Sequence, residues 1–168
     1  MHIAFIVTRA DSIGGAQIHV RDLAFRLTAC HHRVTVLAGC GGELERMLAE
    51  KNISFFVIKN LVRPIKPLKD FLAILGTRRL LKKIKPDIVS THTAKAGMVG
   101  RVAAWSAGIP SIFTAHGWQF AEGISGVQRF FVENIERLTS RMCKKIITVS
   151  EFDRLLALRR KVVRAEKL

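Results

Sequence analysis

Several features that define common classes of protein are missing from this sequence. The three cysteines, Cys30, Cys40 and Cys143, are odd in number and show no C-x-x-C spacing. This pattern disfavours a disulfide framework or a zinc site and favours buried thiols in a reducing cytosol. No apolar run approaches the ~20 residues that cross a bilayer, and the first residues show neither the basic segment nor the cleavage site of a signal peptide. We therefore expect a chain without a metal site, either soluble or peripheral to a membrane.

Acidic residues are also scarce, and the resulting positive charge is unevenly distributed. Lys and Arg number 28 against 13 Asp and Glu, a net charge of +15, and basic patches attract phosphate-rich partners. The basic stretches carry no zinc-finger spacing and no aromatic-rich strand signature, so nucleic acid is disfavoured. For the first basic stretch, residues 63–85, we favour an anionic membrane surface as the partner over a face that is merely solvated. The residues predicted to face the membrane are Arg63, Lys66, Arg78, Arg79, Lys82 and Lys83.

Apolar runs rich in Ile, Val and Phe recur along the chain, separated by segments with helical spacing. Each run is typical of a strand that is buried on both faces. The predicted strands cover residues 3–8, 33–38, 53–58, 87–91, 111–115 and 145–150. In the predicted helix over residues 17–29, the apolar residues on one side are Ile18, Leu23, Phe25 and Leu27. In the basic predicted helix over residues 68–84, they are Leu68, Phe71, Leu75 and Leu80.

The alternation of strand and helix indicates an α/β fold. Parallel strands need crossover connections, and right-handed crossovers place helices on both faces of the sheet. We therefore predict one domain over residues 1–168, a Rossmann-like open parallel sheet with strand order 3-2-1-4-5-6. Gly97 and Gly100 favour close packing of the fourth helix on this sheet. Ligands bind such sheets in a crevice at the carboxyl ends of the strands, so the loops after strands 1, 4 and 5 form the candidate site.

Two adjacent glycines, Gly14 and Gly15, stand between the first predicted strand and the first helix. The loop lacks the G-x-G-x-x-G fingerprint, and no acidic residue immediately follows the second strand, so binding of NAD is disfavoured. Two explanations for the paired glycines remain open. Either the turn is tight, or a phosphate or carboxylate approaches the amides at the amino end of the helix.

The loops after the fourth and fifth predicted strands bring polar side chains to the same edge. His92 ends the fourth strand, Thr93 is a fair N-cap for the next helix, and Lys95 follows in its first turn. A lysine at this point opposes the helix dipole, so either it binds a ligand or it is a solvated charge. His116 ends the fifth strand, and its place in the crevice favours a functional role over a purely structural one.

Taken together, four stretches resemble the N-terminal domain of family 4 glycosyltransferases of the GT-B fold. The stretches are "GGAQIHVRDLA", "PDIVSTHTAKAGMVGRVAAWSAGIP", "TAHGWQF" and "KKIITVSEFDR". The H-T-x-K-A-G-x-x-G-R-x-A-A run and the H-G-W-x-F loop are most similar to the bacterial branch that extends sugars linked to undecaprenyl diphosphate. The resemblance covers essentially the whole chain.

The resemblance implies a retaining transfer of a sugar in polysaccharide or glycan assembly. In this family two Rossmann-like domains close on a cleft, the C-terminal one binding the nucleotide sugar and the N-terminal one supplying the acceptor site. By resemblance, Gly14 and Gly15 approach the donor diphosphate, His116 is the catalytic histidine at the donor sugar, and His92 and Lys95 bind the acceptor. The implied partners are a nucleotide-sugar donor, a UDP-sugar by expectation, and a lipid-linked glycan acceptor, with no further cofactor. The implied location is the cytoplasmic face of the membrane.

The sequence departs from the family pattern at two points. Relatives usually read G-H before the second strand, whereas this chain has His31 and His32, which places histidine where a left-handed helix cap is expected. The chain also stops near the point where the linker and second domain begin in the family. We therefore expect the donor-binding domain to be absent from these 168 residues.

Two alternatives to the transferase remain open. A GT-B sugar-nucleotide epimerase shares the architecture but needs catalytic carboxylates, and Glu122 is the only candidate near the loops. The second alternative is a non-catalytic basic module that binds a membrane or a polyanion.

Overall fold

The computed structural model describes residues 1–121 and 123–168, so Glu122, the carboxylate named for the epimerase alternative, lies outside the described residues. The strands are β1 (His2–Val7), β2 (Arg33–Ala38), β3 (Ser54–Val57), β4 (Ile88–His92), β5 (Ser111–Ala115) and β6 (Lys145–Thr148). The helices are α1 (Gly15–Ala29), α2 (Glu43–Ala49), α3 (Pro67–Ile84), α4 (Ala94–Ala107), α5 (Gly126–Ser140) and α6 (Glu151–Arg159), followed by a short 3-10 turn at Ala165–Lys167.

The strands form one parallel sheet of order β3-β2-β1-β4-β5-β6, which confirms the predicted fold and strand order. The central strand β1 pairs on both sides, since Ile3 lies opposite Val34 of β2 and Ile88 of β4. The chain moves toward one edge of the sheet after β1 and returns to the other side of β1 with β4. The carboxyl ends of these two strands therefore border the crevice in which such sheets bind ligands.

The core lies in layers on the two faces of the sheet, and the side chains of β1 alternate between them. Ile3, Phe5 and Val7 belong to the cluster under α1 and α2, whereas Ala4 and Ile6 belong to the cluster under α3 and α4. This alternation follows from the two-residue period of a strand. A third cluster joins β5, β6 and α6 and includes Phe113, Trp118, Phe120, Ile146 and Ala157.

The prediction that every strand is buried on both faces is wrong for the two edge strands. In β3 the side chains of Phe56 and Val57 are exposed, and in β6 Ile147 is exposed. Within the described part of the chain each of these strands pairs on one side only. Because the helices cover the centre of the sheet more fully than its edges, an apolar run at an edge keeps part of its surface in solvent.

The predicted helix faces are also wrong in part. In α1 the fully buried side chains are Val20 and Ala24, and Leu23 is exposed. In α3 Leu68 and Phe71 are 73% and 57% exposed, although both were assigned to the packed face. The buried positions of α3 lie on the side that packs against α4. These buried positions are Asp70, Ala73, Thr77 and Leu81.

The backbone prediction for His31 is confirmed, whereas the prediction for the cysteines is wrong in part. His31 has a φ of 61°, so it takes the left-handed conformation expected of the residue that replaces glycine there. Cys30 beside it is exposed and Cys40 is partly exposed, so the prediction of buried thiols holds only for Cys143.

Helix α4 packs closely on the sheet through its glycines, as the sequence predicts. A Cβ atom added to Gly97 would lie 2.5 Å from the ring of Phe113, and one added to Gly100 would lie 2.5 Å from the methyl group of Thr91. Both glycines are therefore required by packing. This contact fixes the amino end of α4 next to the carboxyl ends of β1 and β4.

Candidate active site

A cavity of about 650 Å³ opens at the carboxyl edge of the sheet, between the ends of β1, β4 and β5. This crevice brings together four of the predicted site residues: Gly15, Lys95, His116 and Arg63, the last predicted to face a membrane. Among the described residues that line it, the charged side chains are all cationic: Arg9, Arg63 and Lys95. The amino ends of α1 and α4 also border it, and their dipoles favour negative charge. The crevice is therefore suited to an anionic ligand.

The paired glycines do not form a tight turn. Gly14 has φ −140° and ψ −175°, extended backbone that any residue adopts, and Gly15 has no positive φ. A Cβ atom added to Gly15 would meet no atom within 4 Å. The Gly14 N–H donates to Oε1 of Gln17 at 3.2 Å, and no side chain caps α1. The backbone at Gly15 thus faces open crevice, which favours the approach of a ligand over the tight-turn explanation.

Three histidine rings meet at the floor of the crevice. His116 is half-buried and lines the cavity, whereas His92 has no solvent-exposed surface and lies beneath it. Nδ1 of His92 and Nε2 of His116 are 3.1 Å apart and share a hydrogen bond. His19 of α1 completes the group, with its ring centroid 5.5 Å from that of His92 and 5.2 Å from that of His116. Because the His92 ring is buried, it cannot make the predicted contact with an acceptor in this arrangement.

Burial keeps two of these imidazoles neutral. It lowers the pKa of His92 to about 3, with smaller contributions from His116 and His19. Burial and the neighbouring His19 also lower the pKa of His116 below its usual value. At pH 7 both rings are therefore neutral, and each carries one N–H donor and one acceptor nitrogen.

The chain is strained where β4 passes into α4. Thr93 has φ 70° and ψ 152°, a conformation that side chains rarely adopt and that is found at functional sites. Thr93 is the N-cap residue of α4, as predicted, but its hydroxyl makes no capping hydrogen bond and bonds to the Thr8 hydroxyl at 2.6 Å. The Thr8 oxygen instead accepts the N–H of Ala96 at 3.1 Å. The end of β1 therefore caps α4 and holds the two loops of the crevice together.

Lys95 is not a solvated charge, because it forms a buried ion pair with a residue of α3. Its Nζ lies 2.6 Å from Oδ2 of Asp70, and the two side chains are 7% and 11% exposed. Oδ2 of Asp70 also accepts the N–H of Lys66 at 3.2 Å. Oδ1 of Asp70 is buried and has no hydrogen-bond partner within residues 1–121 and 123–168.

The loop that follows β5 is anchored by its aromatic residues. Trp118 stacks on Phe120 with centroids 5.2 Å apart, and its indole N–H donates to the carbonyl of Asp153 at 2.9 Å. Gly117 has φ 100°, which favours glycine, and it lines the crevice. The anchored loop holds His116 at the end of β5 in a fixed position.

The crevice continues into an apolar groove between α3 and α5. A second cavity of about 350 Å³ shares Arg63, Lys95 and Gln119 with the crevice. A third of about 480 Å³ extends the second and shares Ile65 and Val132 with it. A polar site for an anion is therefore continuous with a surface suited to an apolar chain.

The outer face of α3 changes from apolar to basic along its length. Its first half exposes Leu68, Phe71 and Leu72, and its second half exposes Arg79, Lys82 and Lys83. Of the other residues predicted to face a membrane, Arg63 and Lys66 are exposed, while Arg78 is partly buried and its Nε donates to the carbonyl of Ser106 at 3.2 Å. No helix in the described part of the chain has the length and apolar character of a membrane span.

Sequence reasoning missed several residues of this site, among them Arg9, His19 and Asp70. His19 lies four positions after Gly15 and therefore shares its helix face, a spacing that the sequence displays. Asp70 is separated from Lys95 by 25 residues, and no local pattern links them.

The fold and the crevice define a class of protein: α/β domains with a cationic crevice at the switch point of a parallel sheet. The family follows from the sequence. The profile of the family described as Glycosyl transferase 4-like domain matches residues 14–168, and the chain belongs to this family.

Comparison with individual proteins supports this assignment. Over 72 residues, 42% of this chain and 19% of the relative, the sequence is 40% identical to the Escherichia coli UDP-Gal:alpha-D-GlcNAc-diphosphoundecaprenol alpha-1,3-galactosyltransferase. The fold is similar to that of Anabaena Alr3699/HepE, solved in complex with UDP and glucose, with a TM-score of 0.73 and 20% identity over 98% of this chain. It is also similar to Acinetobacter baumannii MurG, with a TM-score of 0.65 and 22% identity over 90% of this chain. The chain spans 42% of each of these two structures.

Proposed function

We propose that this chain is the acceptor-side domain of a retaining glycosyltransferase that moves a sugar from a nucleotide-sugar donor, a UDP-sugar, to a glycan linked to a polyprenyl diphosphate. The observation that carries the proposal is the continuity of a cationic crevice with an apolar groove. A lipid diphosphate has this same division into an anionic head and an apolar chain. The names of the similar proteins, which include UDP and a diphosphoundecaprenol substrate, agree with it.

The donor diphosphate is assigned to the amino end of α1. The backbone at Gly15 is open to the crevice, and Gly14 precedes it in extended conformation. Free amides of the first helical turn and the helix dipole favour a phosphate at this position, each contact by about 0.3–1 kcal/mol. Because the main nucleotide contacts are assigned to a second domain, donor binding by this chain alone is weak.

His116 is the proposed catalytic residue at the donor sugar. Its lowered pKa makes the ring neutral, so it can donate or accept one hydrogen bond to a sugar hydroxyl without carrying charge into the site. In a retaining transfer, positive charge develops on the sugar and negative charge on the departing diphosphate. Preorganised dipoles and cations around the crevice stabilise both charges.

The acceptor is assigned to Lys95 and its partner. Lys95 borders both the crevice and the groove, which places its ammonium group where the diphosphate of a lipid-linked glycan would lie. Asp70 holds this ammonium group in place at the border of the two cavities. His92, for which we predicted contact with the acceptor, acts instead through His116, whose ring it holds from below, so we assign it a positioning role at the donor sugar.

The outer face of α3 is assigned to the membrane surface that supplies such an acceptor. Its apolar first half adjoins the groove, and its basic second half matches an anionic leaflet, where each cation contributes about 1 kcal/mol. We expect the chain to sediment with anionic vesicles and not with neutral ones. Changing Arg78, Arg79, Lys82 and Lys83 to Gln is expected to weaken this binding at least about tenfold.

The matched control removes four exposed cations from the opposite side of the molecule. Changing Arg26, Arg33, Arg46 and Lys51 to Gln lowers the net charge equally, and vesicle binding is expected to remain. Equal binding of the chain to both vesicle types, or equal losses in the two variants, would leave α3 as a solvated face.

Transfer itself is tested with a UDP-sugar and a polyprenyl-diphosphate-linked sugar. The 168-residue chain is expected to be folded and to bind the lipid-linked sugar without transferring to it. Measurable turnover by this chain alone would contradict the assignment of the donor site to a second domain. Binding of anionic vesicles that is indifferent to the lipid-linked sugar would favour the non-catalytic basic module.

A further inference from the structure

The three histidines at the floor of the crevice form a compact set of nitrogen ligands. They come from three separate elements: His19 from α1, His92 from the end of β4 and His116 from the loop after β5. One ring nitrogen from each lies within 4.8 Å of the others. Side chains so far apart in the sequence converge here because the sheet edge brings their elements together.

The rings are held in a form that can bind a metal. Nε2 of His92 lies 3.0 Å from Oγ of the buried Ser90, which fixes the ring and leaves Nδ1 directed at His116. Histidine ligands in metal sites are commonly oriented by such a contact of the second nitrogen.

We propose that His19, His92 and His116 form a binding site for a borderline divalent transition metal ion such as Zn²⁺. Two nitrogens that share a tetrahedral zinc at about 2.0–2.1 Å lie about 3.3 Å apart. Nδ1 of His92 and Nε2 of His116 lie 3.1 Å apart and share one proton. A metal ion would replace this proton, which moves to the second nitrogen of the same ring, and the nitrogen of His19, now within 4.8 Å, would move closer to complete the set. Because His19 and His116 both line the crevice, the remaining coordination position faces it.

The surrounding charges set the selectivity of this site. Among the described residues that line the crevice none is a carboxylate, so the oxygen ligands that Mg²⁺ and Ca²⁺ need are missing there. Imidazole nitrogens suit zinc, copper and nickel instead. Lys95 and Arg9 are paired with Asp70 and Asp11, which reduces their repulsion of a metal ion, whereas Arg63 and the amino ends of α1 and α4 still oppose a cation there. A metal ion at this site would therefore be accompanied by an anion in the crevice.

A bound metal would occupy the ring nitrogen of His116. Metal binding and the contact of His116 with a donor sugar proposed above therefore exclude each other. The metal site does not depend on the glycosyltransferase assignment, since it rests on the geometry of the three rings alone.

The test uses the chain freed of metal with a chelator and titrated with Zn²⁺, with Co²⁺ as a coloured substitute. We expect one equivalent to bind, to raise the melting temperature and, for Co²⁺, to give the visible absorption of a nitrogen-ligated ion. His19→Gln and His116→Gln, at half-buried positions, are each expected to weaken binding at least about tenfold. Ser90→Ala, which frees the His92 ring, is expected to weaken it about tenfold.

The matched control removes the other histidine pair of the chain, His31 and His32, which lies at the surface near the amino terminus. A variant with both changed to Gln is expected to keep the Zn²⁺ site, and Mg²⁺ is expected to produce no shift in melting temperature. Absence of stoichiometric Zn²⁺ binding would overturn the proposal. So would binding that the surface variant abolishes and that His19→Gln and His116→Gln retain.

Discussion

Helix α4 carries two buried ion pairs whose surroundings differ. At its amino end, Lys95 pairs with Asp70 of α3 and borders the crevice and the groove. Two turns further on, Arg101 has no solvent-exposed surface and pairs with Glu136 of α5 at 2.7 Å. Arg101 also donates to the carbonyl of Gly97 and lies 4.1 Å above the ring of Phe113.

The difference shows that burial of a charge does not by itself mark a functional site. Arg101 joins α4, α5 and β5 through hydrogen bonds and ring contact, which is a structural role. Lys95 makes a single ion pair, and its surroundings open onto cavities large enough for a ligand. We therefore assign a structural role to the middle of α4, around Arg101, and a role in the candidate site to its amino end.

The largest expected effect concerns the scaffold pair. Arg101→Met leaves the carboxylate of Glu136 buried without its partner, and we expect a loss of about 3–5 kcal/mol in the free energy of unfolding, measured in urea. The exposed pair of Arg46 and Glu43, with 3.5 Å between charged atoms, is the control, and Arg46→Met is expected to cost at most about 1 kcal/mol. Similar losses of unfolding free energy in both variants would contradict a structural role for Arg101.

The next effect concerns the close contact of α4 with β5. Gly97→Ala places a methyl group against the ring of Phe113, and overpacking of this kind costs about 1–3 kcal/mol. Gly76 lies in the middle of α3, where an added Cβ meets nothing within 4 Å. Gly76→Ala is therefore expected to raise the unfolding free energy by about 0.5–1 kcal/mol, and a loss there would contradict the packing argument.

At the site pair, stability and binding are expected to separate. Lys95→Met leaves Asp70 unpaired but close to the crevice, so we expect a loss of about 1–2 kcal/mol in unfolding free energy. Binding of a polyprenyl-diphosphate-linked sugar is expected to be lost. Adding Asp70→Asn removes the unpaired charge, so the double variant is expected to regain stability without regaining binding. Recovery of both together would assign Lys95 a structural role only.

The smallest expected effect on stability is at the glycine pair. Gly15→Ala introduces a methyl group into open crevice, and the unfolding free energy is expected to change by no more than about 0.5 kcal/mol. The same methyl group obstructs the approach of a phosphate to the helix amides, so the weak binding of UDP, followed by NMR, is expected to decrease. A large loss of stability would restore the tight-turn explanation for this glycine.

The sequence predicted the sheet well because the signal for it is local. Apolar runs at regular spacing specify buried parallel strands, and the strand order follows from general rules for crossovers. The exposed faces of α3 and β3 were predicted wrongly because apolar character does not distinguish a core-facing residue from one that faces a groove or an edge. The pairing of Asp70 with Lys95 depends on how α3 lies against α4, which no local pattern encodes.

The candidate site was predicted in outline and missed in its arrangement. Gly15, Lys95 and His116 meet in one crevice, as strand-end positions in a parallel sheet predict. The depth of each side chain was not predictable, and it changes the interpretation of His92 from a ligand contact to a support beneath His116.

The most direct test of the acceptor-side assignment compares two ligands on the same chain. Equilibrium binding of a short-chain polyprenyl-diphosphate-linked sugar and of UDP is measured by calorimetry, with Lys95→Met beside the unchanged chain. We predict that the lipid-linked sugar binds at least about tenfold more tightly than UDP, a difference of about 1.4 kcal/mol or more, and that Lys95→Met abolishes this preference. Tighter binding of UDP, or an unchanged preference in Lys95→Met, would contradict it.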